Sequence, residues 1–174
     1  YLEGYLWDPP RAKDAMLKAA NLAHKHGRKV ALSLSDPFCV GRHRAEFQRL
    51  LDDHVDILFA NEAEALSLTQ VETFEDAARA LQGRASLCVI TRGPSGATVL
   101  TEGGGHFAVP AAPVAKVVDT TGAGDLFAAG FLFGVTHGRS PEASLRLGAL
   151  CAAEVISHFG ARPERNLAEL AREN

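Results

Sequence analysis

Residues Asp119-Thr120-Thr121-Gly122-Ala123-Gly124-Asp125 run directly into Leu126-Phe127-Ala128-Ala129-Gly130-Phe131-Leu132-Phe133. A flexible loop thus enters a helix that is apolar on every side, with an acid at the junction. The glycines let backbone approach a ligand closely, and the first amides of the helix have no internal partners. Those N–H groups and the positive end of the helix dipole attract an anion. A carboxylate placed there repels the phosphate that the amides attract, so its presence calls for chemistry. Asp125 suits a general base that takes the proton of an attacking hydroxyl. The amides of Gly122, Ala123 and Gly124 would meanwhile hold the charge on a phosphoryl group in transfer.

Outward from this loop, strands alternate with helices. Tyr1–Trp7 reads as a strand. Asp8-Pro9-Pro10 then opens a helix whose buried face is expected at Ala12, Ala15, Met16, Ala19, Leu22 and Ala23, with Gly27 closing it. Further strands are expected at 29–34, 56–60 and 86–91, with helices at 42–51, 61–68 and from Thr73 to Leu81, the last opened by a capping box. Residues 35–38 read as a loop. The stretch 96–109 reads as a hairpin turning at Gly103-Gly104-Gly105. The rest is helical: 125–135, then a helix opened by Ser140-Pro141-Glu142 and ending near Gly160, then a short amphipathic helix carrying Leu167 and Leu170. This alternation predicts an α/β fold with a mostly parallel sheet covered on both faces. No linker or repeat divides the 174 residues. The opening Tyr1 and the immediate strand lead us to expect that the chain begins midway through a larger protein.

Composition narrows the function. Lys plus Arg is 18 against 21 for Asp plus Glu, a net charge of −3 without a basic block, so neither nucleic acid nor an anionic membrane is expected as a partner. The longest apolar run, Leu126–Val135, is far too short to span a bilayer. Cys39, Cys88 and Cys151 lie far apart without a CxxC pair, which suits buried thiols in a reducing cytoplasm. His24 and His26 fall near a helix end and are expected in solvent.

In a parallel sheet, ligands gather at the carboxyl ends of the strands. Two further stretches fall there. Asn61-Glu62-Ala63-Glu64 follows the 56–60 strand, and Asn61 and Glu64 share a helix face. They could order magnesium, directly or through water, beside a triphosphate; taken alone, a helix start with solvated acids accounts for them better. Thr91-Arg92-Gly93-Pro94-Ser95-Gly96 offers a hydroxyl, a cation and two glycines to phosphates, although an ordinary turn explains it as well. Gly130 and Gly134 read as packing notches. Gly-Ala-Gly could begin a dinucleotide fingerprint, but Phe127 stands where the third glycine belongs. No GxxxxGK[ST] occurs, which excludes a Walker-type loop.

Together these three stretches resemble the ribokinase-like carbohydrate kinases, the PfkB family. The flanking Gly4-Tyr5-Leu6-Trp7-Asp8 and Ile156-Ser157-His158-Phe159-Gly160-Ala161-Arg162-Pro163 look most like the branch containing adenosine kinases. The resemblance implies a three-layer α/β/α fold. It also implies that residues 1–174 are the C-terminal, ATP-binding portion of a single domain whose N-terminal part and lid lie outside the sequence. The implied activity is transfer of the γ-phosphoryl group of ATP to a hydroxymethyl group of a sugar or nucleoside. Asp125 matches the family's base, which also contacts the acceptor, and Gly122, Ala123 and Gly124 match its anion hole. Asn61 and Glu64 match the motif associated with magnesium and phosphate, Glu64 acting through water. Thr91, Arg92, Gly93, Pro94, Ser95 and Gly96 would line the nucleotide, and Ala149 would stand beside adenine. A monovalent cation such as K+ is implied at Asp119, Thr121, Val155, His158 and Gly160, and a homodimer is among the assemblies the family allows. Phe38 could reach an acceptor pocket, though packing is its commoner use. The competing expectation is a truncated, non-catalytic nucleotide-binding module.

Overall fold

The described residues include six strands, which form one sheet in sequence order, β1 to β6. They are β1 (Leu2–Glu3), β2 (Ala31–Ser33), β3 (Ile57–Asn61), β4 (Leu87–Thr91), β5 (Ala97–Thr101) and β6 (His106–Val109). Among the described residues seven helices lie between and after them: α1 (Pro10–Lys25), α2 (Pro37–His54), α3 (Glu62–Thr69), α4 (Phe74–Leu81), α5 (Ala123–Thr136), α6 (Pro141–Val155) and α7 (Leu167–Glu173). The computed structural model describes residues 1–173, which gather into two compact units. One comprises Tyr1–Ile90 with Leu100–His106; the other comprises Thr91–Val99 and the chain from Phe107 onward.

In the first unit β1, β2 and β3 pair in parallel, with Leu2 opposite Leu32 and Leu32 opposite Leu58. Strands joined through helices must pair this way, because each crossover returns the chain to the same end of the sheet. Leu32, Leu34, Phe47, Leu58, Leu68 and Leu81 are fully buried in its core. The hairpin falls where the glycines predicted it: Thr101 N–H donates to the Gly105 carbonyl and Gly104 N–H to the Thr101 carbonyl, each at 2.9 Å.

In this unit three predicted elements differ from the observed ones. The expected strand Tyr1–Trp7 stops after Glu3, and Gly4–Trp7 is a 3-10 turn. The turn carries Trp7 inward, where its ring lies 5.9 Å from that of Phe47 and its Nε1–H donates to Glu46. In α1 the buried positions are Met16 and Ala20, whereas Ala15, Ala19 and Leu22 are exposed. Helix α2 begins at Pro37 rather than Arg42, because the Asp36 carboxylate caps it, accepting from the N–H groups of Phe38 and Cys39.

In the second unit α5 and α6 pack closely along their length, and glycine makes this possible. A Cβ on Gly130 would lie 2.8 Å from Cys151 Sγ and from the Leu147 carbonyl, and one on Gly134 would lie 2.5 Å from Ser144 Oγ. Helix α6 opens at the expected Ser140 cap but ends at Val155, short of Gly160. The Ser157 N–H and hydroxyl both turn back to the Glu154 carbonyl, and Val118 N–H occupies the Ile156 carbonyl. All three cysteines are buried and unpaired.

Candidate active site

Gly122 opens α5 in the left-handed region, at φ 79°. Only glycine takes that conformation cheaply, and a Cβ there would also lie 2.8 Å from that of Ala161. The first helical bond runs from Leu126 N–H to the Gly122 carbonyl at 2.9 Å, so the N–H groups of Gly124 and Asp125 have no carbonyl behind them in the helix. Ala123 N–H turns back to the Thr120 carbonyl at 3.2 Å. Asp125 is the third residue of α5 and its side chain is exposed. An exposed carboxylate beside unbonded amides of a helix start can receive a proton close to a bound anion.

The loop before this helix is tied to the segment after α6 through one carboxylate. Asp119 Oδ1 accepts from the N–H and hydroxyl of Thr121, at 2.9 and 2.7 Å, and Oδ2 accepts from Gly160 N–H at 3.0 Å. The Gly160 N–H above all, then the Thr121 hydroxyl and N–H, hold the Asp119 carboxyl down to about 2. Three of the five positions expected around a monovalent cation, Asp119, Thr121 and Gly160, therefore share one hydrogen-bonded knot. Val155 is fully buried, and the His158 ring faces Glu154, with Nε2 3.4 Å from Oε1.

Thr91–Gly96 leaves β4 as a tight turn. Arg92 N–H donates to the Gly96 carbonyl at 2.8 Å, and Gly96, at φ 94°, packs so closely that a Cβ would meet the Val109 carbonyl. Gly93, Pro94 and Ser95 are exposed at its tip. Ala149 is buried on α6.

In the first unit, Asn61 and Glu64 form a reciprocal cap at the start of α3. Glu64 N–H donates to Asn61 Oδ1 at 2.9 Å, while Glu64 Oε2 and Oε1 accept from Asn61 N–H and Nδ2–H at 2.9 and 2.6 Å. Glu64 is only 5% exposed. Burial pushes its carboxyl up to about 7 against the Asn61 N–H bond, and the Asp36 and Glu3 carboxylates push the same way. Ser35, beside these acids, sits at φ 72°, a left-handed conformation unusual for serine, and its hydroxyl donates to Glu3 Oε2 at 2.9 Å. Among the described residues no group of three or more His, Cys, Asp or Glu side chains could hold a metal ion. With both Glu64 oxygens engaged, a magnesium ion here would be reached through its water shell and held mainly by phosphate oxygens.

A model of the pfkB family of carbohydrate kinases matches residues 1–166. The chain belongs to that family. Similar to this pfkB-family chain is the cytidine kinase of Thermococcus kodakarensis, 45% identical over 120 residues, which make up 67% of the chain and 42% of that protein. Among solved structures, the adenosine kinase of Sinorhizobium meliloti is 50% identical with a TM-score of 0.95, covering 98% of this chain and 52% of its own. A ribokinase of Arabidopsis thaliana, solved with ribose and ATP, is 28% identical with a TM-score of 0.75, covering 91% of this chain and 52% of its own. The fold is therefore that of the ribokinase-like kinases, and the chain spans about half the length of these relatives. Among the described residues no helix is long and apolar enough to cross a membrane.

Two features of the site escaped sequence reading. Asp36 carried a usable signal, an acid immediately before a proline, which marks a helix start. Glu154 carried none beyond being an acid in the apolar run of α6, and its partners lie ten and eleven residues further on.

Proposed function

We propose that the protein transfers the γ-phosphoryl group of ATP to a hydroxymethyl group of a sugar or nucleoside, and that this chain supplies the nucleotide side and the base. The observation that carries the reading is the start of α5: a left-handed Gly122, unbonded amides behind it, and an exposed carboxylate three residues on. Family membership agrees with it.

In this reading ATP supplies the phosphoryl group, and Mg2+ offsets the charge on its oxygens. Asp125 touches the acceptor hydroxyl and takes its proton as that oxygen bonds the γ-phosphorus and the bond from this phosphorus to the bridging oxygen breaks, releasing ADP. The amides of the Gly122-Ala123-Gly124 turn receive the charge on the phosphoryl oxygens, with Gly124 the better placed because Ala123 N–H already has a partner. The Thr91–Gly96 turn lines the nucleotide, and Ala149 stands near its base. Asn61 and Glu64 order water around the metal. The Asp119, Thr121 and Gly160 knot, with Val155 and His158, shapes the loop and offers carbonyl oxygens to a monovalent cation. Substitution of Asp125 by Asn tests the assignment. In the full-length protein, D125N should lower turnover by about 10²- to 10⁴-fold while Mg-ATP binding stays nearly intact. Wild-type turnover in that variant would remove the base from the proposal.

A further inference from the structure

Glu154 lies on the last turn of α6, 8% exposed, and fastens both ends of the segment that follows it. At the near end its backbone carbonyl accepts the Ser157 N–H and hydroxyl, at 3.2 and 2.7 Å. At the far end its side-chain Oε1 accepts the N–H groups of Glu164 and Arg165, at 2.8 and 2.9 Å. A ten-residue excursion is thus closed on a single residue, by its carbonyl at one end and its side chain at the other. Between the two ties the excursion meets the glycine loop through Gly160 N–H on Asp119 and through Ala161 against the bare backbone of Gly122, and it meets the residue leading into that loop through the Ile156 carbonyl, which accepts Val118 N–H at 2.8 Å.

The cost of this arrangement is visible. Glu154 Oε2 is buried without a hydrogen-bond partner among the described residues, and so is His158 Nε2, which lies 3.4 Å from Oε1 but off the line of a hydrogen bond. A carboxylate kept inside with one oxygen unmatched is a poor device for stability alone, since its desolvation is only partly offset. As a fixed acceptor for two successive amides it sets the path of the backbone. The geometry points to Glu154 as the positioning residue of the glycine loop: it acts through the 156–165 segment, on Asp119 and Gly122, to hold the start of α5 in register.

The consequence for catalysis rests on the kinase reading, but the positional claim does not, and hydrogen exchange separates them. Peptides covering 119–126 and 156–162 should be compared in the full-length wild type and in E154Q, E154D and E154L. E154Q keeps an acceptor at the same reach and should exchange like the wild type. E154D keeps the charge but draws the acceptor back, and should exchange faster in both segments, by about tenfold or more; E154L should do so more strongly. If E154L fails to fold, the order of E154Q and E154D decides alone. Exchange in 119–126 that is unchanged in E154D, or faster in E154Q than in E154D, overturns the proposal. Where turnover is measurable, kcat should fall in E154D with little change in the KM for ATP, and E154Q should restore it. A KM effect with kcat intact overturns the assignment of the loop to the transition state. Absence of turnover in the wild type refutes the kinase reading and leaves the exchange result standing.

Discussion

Glu64 shows how a residue can serve as a helix cap and still carry a pH signature. Its carboxyl is raised from 4.5 to about 7 by burial, so between those values the folded chain binds a proton that the unfolded chain has lost. Stability from this group is therefore complete below pH 4.5 and disappears as pH rises through about 7, a difference on the order of 3 kcal/mol. E64Q stays neutral throughout and keeps an oxygen for the Asn61 N–H. Denaturant melts at pH 5 and pH 8 should show E64Q gaining on the wild type at the higher pH; parallel profiles would contradict the raised carboxyl. Asp119 behaves oppositely. Held near 2 by the Gly160 and Thr121 donors, it supports the fold above the ordinary carboxylate range and loses that support only in strong acid. The Asn61–Glu64 pair was legible as a helix start from its three-residue spacing. The value of its carboxyl was not, because Glu3 and Asp36 reach it only after β1 and β2 pair.

Among the elements, α5 and α2 give opposite answers to the same substitution. An alanine at Gly134 gains about 1 kcal/mol of helix propensity but drives a methyl into Ser144, where overpacking costs about 1–3 kcal/mol. Gly41 in α2 has nothing within 4 Å of the added methyl, so only the propensity gain remains. Thermal unfolding should therefore show G134A lowered by a few degrees and G41A raised. Equal shifts in the same direction would mean that the α5–α6 contact tolerates a methyl. Sequence identified Gly130 and Gly134 as notches from their place in an apolar helix, the start of α6 from its Ser140 cap and the hairpin turn from its glycines, but it carried the end of α6 too far, to Gly160 instead of Val155. It misplaced the start of α2 and the buried face of α1. In α1, Ala15, Ala19 and Leu22 are as apolar as Met16 and Ala20, and only the surface against which the helix lands chooses between them.

For the molecule as a whole, the decisive fact is that the matched residues cover only 42% of a cytidine kinase and 52% of an adenosine kinase. On the proposed reading these residues include the nucleotide-binding side. A 174-residue polypeptide should then be stabilised by Mg-ATP, by about 2.7 kcal/mol when the ligand is at a hundredfold its Kd. The same preparation should release no ADP when ribose or adenosine is added, while the full-length protein should. A thermal melt indifferent to Mg-ATP would mean that the nucleotide site needs chain beyond these residues. ADP release by the 174 residues alone would place the acceptor site within them. Phe38 is 80% exposed at the start of α2, so among the described residues it does not take up the packing use expected of it.

By itself the amino-acid sequence determined the α/β class and the family, and it supplied the residues proposed to carry chemistry. All of these are written locally: alternation of strand and helix patterns, glycines before an apolar helix, an acid at its third position, and caps three residues apart. Tertiary structure alone decided how those residues are held. Trp7 bends the first strand into a turn because Phe47 and Glu46 wait for it. Glu154 closes a segment whose far end is ten residues away, and Asp119 joins loops forty-one residues apart. Such ties follow no period and use no neighbouring residue. They form only when packing brings distant donors to a carboxylate, whether buried as at Glu154 or open to solvent as at Asp119, and that condition is met in the folded chain alone.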